Sequence, residues 1–353
     1  MTTPVRWTEA EILGDDPALE PYVVAGHRCH GGVDAEGRYH SPRTRFRNHA
    51  IAGWQEQHRA QFGTELFDAG LDTWPPPSPN VAQSRFLLER GVREPVIAAL
   101  TRIGTVEGFG GAMRLWSLPD AQSYFVESIA GTTLDHLTVM FEAQARDEAG
   151  WGDEFGHRDM WFLARDLAFE NPPVEDLTEL LLFRLGVTSA PGAPPPSAET
   201  VRQRQIAERM FANVPLEIES LIKRMVNLLL IEISAAHMFA WAENLLVDTD
   251  LVAGDGVAAE LIRAIRQDES PHVEYLRTAL SEMRDRTFVG VDGTAVPGDR
   301  VVTDLWAAGL AESTGERRAA NQRIARAELD DVVADRPDRV DLLAEYDALG
   351  APA

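Results

Sequence analysis

The chain is short of most of what would tie it to an oxidising compartment, a polyanion or a bilayer. Its 353 residues include one cysteine, Cys29, so no internal disulfide can form. Positive charge is scarce. Lys and Arg number 33 against 56 Asp and Glu, Lys223 is the only lysine, and the formal charge is -23. Repulsion from an anionic surface opposes docking everywhere except at a local basic patch, which argues against nucleic acid and membrane as general partners. No uninterrupted run approaches the roughly 20 apolar residues of a membrane span. Even the stretch from Met225 to Met238 is broken by Asn227, Glu232 and Ser234. The first residues carry no apolar signal core. The expectation is a cytoplasmic protein. Strand signals are few as well, confined to a small hairpin over residues 287–296 that Asp292-Gly293 would turn.

What is present is helical periodicity. Apolar residues recur at intervals of three and four between two proline-rich connectors, residues 73–80 and 189–200. The pattern predicts an all-α fold: a helical bundle over residues 79–290, preceded by an irregular arm (1–78) with one helix near 51–62. A helical extension (291–353) follows. Two long helices are expected near residues 200–247, kinked at Pro215, and 256–283, forming a hairpin about the turn at 248–256.

Two short patterns on this frame carry chemistry. Asp153-Glu154-Phe155-Gly156-His157 and Asp268-Glu269-Ser270-Pro271-His272 each set a Glu three residues before a His. On one helix, positions i and i+3 share a face, so both side chains can grip one metal ion. One such pair is commonplace. Two copies, with a further carboxylate from each of two other helices, make the donor set that holds two metal ions inside a four-helix bundle. Glu232 suits the second copy: it lies 37 residues before Glu269, and their midpoint falls in the predicted turn. An unpaired carboxylate in its apolar run would cost several kcal/mol, a cost that a metal removes. For the first copy Glu127 is preferred, with Glu107 the alternative if the chain turns near Gly131 and Glu142 a third option. Asp147-Glu148-Ala149-Gly150-Trp151 mimics the pattern but has Trp where the His should be, and so is set aside for want of a nitrogen donor.

The order Glu127, Asp153-Glu154-x-x-His157, Glu232, Asp268-Glu269-x-x-His272 resembles that of the ferritin-like di-iron carboxylate proteins. These include the acyl-carrier-protein desaturases, the hydroxylase subunits of bacterial multicomponent monooxygenases and the small subunit of ribonucleotide reductase. The resemblance covers about residues 80–290. It implies that Glu127 and His157 bind one iron, that Glu232 and His272 bind the other, and that Glu154 and Glu269 bridge them. Asp153 and Asp268 would accept hydrogen bonds from the ligand histidines. Several of these families carry Arg before the ligand His, where this chain has Gly156 and Pro271, and the radical tyrosine of the reductase is matched by Trp161. Ser270-Pro271 could also end one helix and start another.

The implied activity is an O2-dependent oxygenase or oxidase that hydroxylates, desaturates or N-oxygenates a small, partly hydrophobic substrate. Two Fe ions are its cofactor, or a Mn/Fe pair, with electrons from a separate donor. Phe155, Trp161 and His237 are candidate pocket residues, and the terminal extensions could form a homodimer surface. The alternatives are an iron-oxidising or iron-handling protein of the ferritin type and a metal-free structural helical protein. Arg43, Arg45 and Arg47 with His40 and His49 form the only basic patch, read as a docking arm or as plain surface charge. His27, Cys29, His30 and His40 match no zinc spacing.

Overall fold

The computed structural model describes residues 7–70 and 74–350. The chain opens with α1 (Glu9–Ile12) and a three-stranded antiparallel sheet of β1 (Glu20–Val24), β2 (His27–Val33) and β3 (Tyr39–His40). The expected irregular arm is therefore partly a sheet. Its tight turns use the positive φ of Ala25-Gly26, and its alternation is too short to stand out in the sequence. The long helix α2 (Thr44–Phe62) follows, starting seven residues before the expected 51. Then come α3 (Val81–Glu89), α4 (Glu94–Phe109), α5 (Leu137–Ala149), α6 (His157–Phe169), α7 (Thr178–Arg184) and α8 (Ala198–Ala207). The two longest helices are α9 (Leu216–Leu246) and α10 (Val257–Arg284). Pro215 sits at the N-cap of α9 and separates it from α8 instead of kinking one helix. The hairpin of β4 (Thr287–Val289) and β5 (Ala295–Pro297) forms where expected, before α11 (Gly298–Thr314), α12 (Glu316–Val332) and α13 (Arg339–Leu349).

The fold is mostly helical, with α9 packed along α10 and α4 along α6. Among the described residues its core is in three apolar parts, a small one joining α3 to α12 and α13 and two larger ones that flank a charged layer. Leu229, Ile233, Tyr275, Leu276, Met140 and Phe141 belong to one of the larger parts. Phe239, Ile262, Ile265, Met160, Trp161 and Leu100 belong to the other. Each fully buried Leu, Ile or Phe among them stabilises the fold by about 1.5–3 kcal/mol. Along α9 and α10 the change from one part to the other falls at Glu232 and at Asp268 to His272, so a charged layer lies between two apolar ones. α9 has the length and composition of a membrane span, but most of it is buried against neighbouring helices. α10 runs unbroken through Pro271, so Glu269 and His272 do share one helix.

Candidate metal centre

Four carboxylates and two imidazoles meet in the charged layer. Glu107 comes from the end of α4, Glu148 from the last turn of α5, His157 from the first residue of α6, Glu232 from the middle of α9, and Glu269 and His272 from α10. They form two overlapping groups. Glu107, Glu148, His157 and Glu269 make one, Glu148, Glu232, Glu269 and His272 the other, and in each the donor atoms lie within 4.8 Å of one another. Glu148 and Glu269 belong to both. His157 Nδ1 is 2.9 Å from Glu148 Oε2 and 3.0 Å from Glu269 Oε1. His272 Nδ1 is 2.7 Å from Glu269 Oε2 and 3.4 Å from Glu148 Oε1. The two halves are related by an approximate exchange of α4–α5–α6 with α9–α10.

Behind this set the pattern crosses over. Asp268, next to Glu269, lies 3.4 Å from His157 Nε2, while Asp147, next to Glu148, lies 2.9 Å from His272 Nε2. Protons on both Nε2 atoms satisfy these contacts, so that a cation displacing the proton each Nδ1 shares with the carboxylates would meet the Nδ1 lone pair, the orientation a metal requires. Asp147 is paired with Arg43 and Arg47, both buried. Burial pushes its carboxyl up, but the two guanidinium groups and His272 outweigh that and hold it well below its ordinary value. Asp268 accepts from Tyr39 Oη at 2.7 Å and contacts His30 Nε2 at 2.6 Å, two residues of the N-terminal sheet. Gln144 joins Glu148 to Glu232, and Tyr275 Oη donates to Gln144 at 2.6 Å.

His157, Glu232, Asp268, Glu269 and His272 are thus brought together, whereas Glu127, Asp153 and Glu154 are not. Glu127 lies in the irregular segment between α4 and α5, where its carboxylate accepts the Thr287 backbone N–H at 2.8 Å and the Thr287 hydroxyl at 2.9 Å. Glu154 is bound by Arg28, and Asp153 is an exposed neighbour of the same arginine. The reason is a break in the helix. α5 ends at Ala149, and Gly150, with φ of 78°, starts a turn that runs to Gly156, so residues 153–157 share no helical face. The Asp-Glu pair that serves the site is Asp147-Glu148, whose histidine arrives nine residues after the Glu instead of three. Trp151, at the i+3 position, points outward under the Arg146 guanidinium, 3.9 Å from its ring centroid. Glu107 takes the place expected of Glu127, because the connection from α4 to α5 is a long irregular segment around Gly131. Glu142 pairs with Arg146.

The remaining candidates fall outside the donor set. Trp161 is buried with its ring 5.4 Å from that of Phe239, Phe155 stacks on His27 at 4.5 Å, and His237 belongs to neither group. Of the basic patch, Arg43 and Arg47 are interior partners of Asp147 and His40 pairs with Asp34, while Arg45 and His49 are exposed. The sequence reading missed Tyr39, placed His30 only in a group of no zinc spacing, and set Asp147-Glu148 aside. The repeated doublet Asp147-Glu148 and Asp268-Glu269 was the available signal for the last pair.

Comparison of the chain with family models, curated proteins and solved structures finds no match.

What the site can hold follows from its donors. Burial first, and then the neighbouring carboxylates, raise Glu107 and Glu232 well above the ordinary range. Burial also pushes Glu269 up, but His157 and His272 outweigh it and keep that carboxyl ionised. Four such groups in one dry layer repel one another unless cations or protons intervene. Glu269 Oε1 is buried, and its near polar neighbour is the His157 imidazole at 3.0 Å, with no hydrogen bond of good geometry to it. Two divalent cations would balance the four carboxylates and use the Nδ1 lone pairs and Glu269 Oε1. All-oxygen sites suit Mg2+ or Ca2+, whereas a mixed imidazole and carboxylate set suits a transition-series ion such as iron, manganese or zinc. The residues fit a pair of such ions.

Proposed function

We propose that the chain is a ferritin-like, non-haem di-iron oxidoreductase that uses O2 to oxidise a small, partly hydrophobic organic substrate. The observation that carries this reading is the sharing of Glu148 and Glu269 by two donor groups, which suits two adjacent ions better than one. When bound, the metal pair would supply the redox chemistry of O2 activation. The chain supplies the rest. Glu107 with His157, and Glu232 with His272, would hold one ion each, while Glu148 and Glu269 would span both. Asp147 and Asp268 fix the tautomer of the opposite histidine and keep its Nδ1 basic. Arg43, Arg47, His30 and Tyr39 hold those aspartates in place. The apolar parts of the core on either side exclude water, which strengthens every charge interaction in the layer. Nothing in this set performs electron delivery, so a separate donor belongs to the proposal.

An organic substrate is favoured over Fe(II) because the cavity bordering Glu107 is lined by three arginines, which oppose passage of a cation. The test is metal content after expression in iron-rich medium. About two irons per chain are expected, with at least one lost in Glu269→Ala and in His272→Ala. Less than about one iron or manganese per two chains, or full retention of both by either variant, would sink the reading.

A further inference from the structure

A cavity of about 420 Å3 borders the site at Glu107. Its wall on α4 is one helical stripe, Ala99, Arg102, Ile103, Val106 and Glu107, the i, i+3, i+4, i+7, i+8 face. Opposite lie Leu230, Ile231, Ala235 and Met238 of α9, and α7 and α12 close the sides. Exposure falls along the cavity. The side chains of Arg317, Arg184 and Arg102 are 43%, 30% and 25% exposed, whereas that of Glu107 is 9% exposed, so the arginines stand at the rim and the metal-facing carboxylate at the floor. Between Arg102 and Glu107 the helix rises about 7.5 Å, five residues at 1.5 Å each.

The charge at the rim is the reverse of the molecule's. Three arginines face the cavity with a single rim carboxylate, Glu328, in a chain of net charge -23. Glu328 is shared: its Oε2 is 2.6 Å from Arg102 and its Oε1 is 3.4 Å from Arg184. One carboxylate cannot neutralise two guanidinium groups. Arg317 is turned toward Glu312 at 3.4 Å, with its side chain still part-exposed. The wall between rim and floor is aliphatic, with Ile231 46% exposed although it sits on a core helix.

We propose that this cavity is the substrate channel and that it takes an amphipathic carboxylate, a free acid of medium chain length. Its head pairs with Arg184 and Arg317, while its apolar body lies along Ile103, Val106, Ile231 and Met238 toward Glu107. The proposal rests on the oxidoreductase reading for its direction but not for its binding energy, since every contact named is made by side chains outside the donor set. Guanidinium groups favour a planar carboxylate over a neutral or cationic head of the same length. Glu328 competes for Arg184, so removing its charge strengthens binding.

Isothermal titration of the purified full chain with octanoate, octan-1-ol and octylamine, with iron counted in the same sample, tests this. Octanoate is expected to bind about tenfold or more tightly than either analogue. The double variant Arg184→Gln/Arg317→Gln is expected to lose about tenfold for octanoate and nothing for octanol, while Glu328→Gln gains affinity for octanoate. Ala235→Trp, and Ile231→Trp as a second variant at a part-exposed position, are expected to abolish binding by filling the cavity. Equal affinity for octanol, or octanoate binding that survives both tryptophan variants, overturns the proposal. Octanoate binding without iron sinks the oxidoreductase reading and leaves the channel, whereas two irons without octanoate binding sinks the channel alone.

Discussion

At the scale of single residues, the chemistry depends on which glutamate stands beside which aspartate. Glu148 and Glu154 are six positions apart and both follow an aspartate, yet one is buried among the donors and the other is bound to Arg28 near the surface. Glu148→Ala is therefore expected to lose both metals, because that carboxylate belongs to both groups, while Glu154→Ala retains them; metal analysis of the two purified variants checks this. Retention by Glu148→Ala with loss by Glu154→Ala would restore the arrangement drawn from the sequence. Glu232, Glu269, His272 and Asp268 were legible because they sit on two uninterrupted helices, where i+3 spacing and an antiparallel hairpin translate directly into position. His30 and Tyr39 were not. Their contacts with Asp268 join residues more than 200 positions apart, and no local spacing encodes such a meeting.

The element that decides the site is the turn of residues 150–156. It separates His157 from Glu148, and its backbone is tied to the N-terminal sheet: Phe155 N–H donates to the Arg28 carbonyl at 2.8 Å, and His30 N–H donates to the Phe155 carbonyl at 3.0 Å. A helix-periodic reading had to fail here, since the pattern it relies on presumes one continuous helix. Gly156, which precedes His157, has an ordinary φ of -83°. It is glycine for want of space, because a Cβ would stand 2.7 Å from the Asp147 carbonyl oxygen and against the Gly150 backbone. Gly156→Ala is expected to displace His157 and destabilise the fold by about 1–3 kcal/mol, as overpacking does. Urea titration gives the stability and metal analysis the loss, which is expected on the His157 side. Unchanged values for both would mean that the turn tolerates a shift and does not set the histidine. The α9–α10 hairpin, by contrast, forms about its expected turn, with α10 and the end of α9 within a residue of their expected limits, because the long apolar periodicity and the glycine-rich turn at 248–256 agree; only the start of α9 differs, at Leu216 instead of near 200.

For the whole molecule, the mostly helical character was legible from composition and period, while the N-terminal sheet was hidden by its brevity and by its turns. That arm is latched to the end of α10 by His58, whose Nε2 lies 2.9 Å from Asp285 Oδ2, with Thr64 also donating to Asp285. Burial lowers His58 below its ordinary 6.5, against the raising effect of Asp285. Asp285 itself is pushed up by burial but is held below its ordinary 3.8 by Arg284 and Thr64. Both shifts have the same sign. The folded state disfavours a proton on either group, so their contribution is complete near neutral pH. It declines as pH falls below about 6.5, first through His58 and later through Asp285. The melting temperature is expected to fall between pH 7 and pH 5, and to fall less steeply in His58→Gln. Equal slopes for the two proteins, measured by calorimetry, would show that this latch does not carry the acid sensitivity.

The stitch between residues 28–30 and 155 also bears on how the protein matures. The six donors run from Glu107 to His272, and the support behind them begins at His30, so the cluster spans most of the chain. Closing loops of that length precedes any reward from the contacts they make. A partly synthesised chain that has produced Glu107, Glu148 and His157 holds three donors with no partners from α10, and no α10 to seat the N-terminal sheet. Any ion held by these donors would therefore enter late, after the chain's beginning has docked onto its second half, because a chain that stops short of α10 lacks Glu269 and His272 and so the complete donor set.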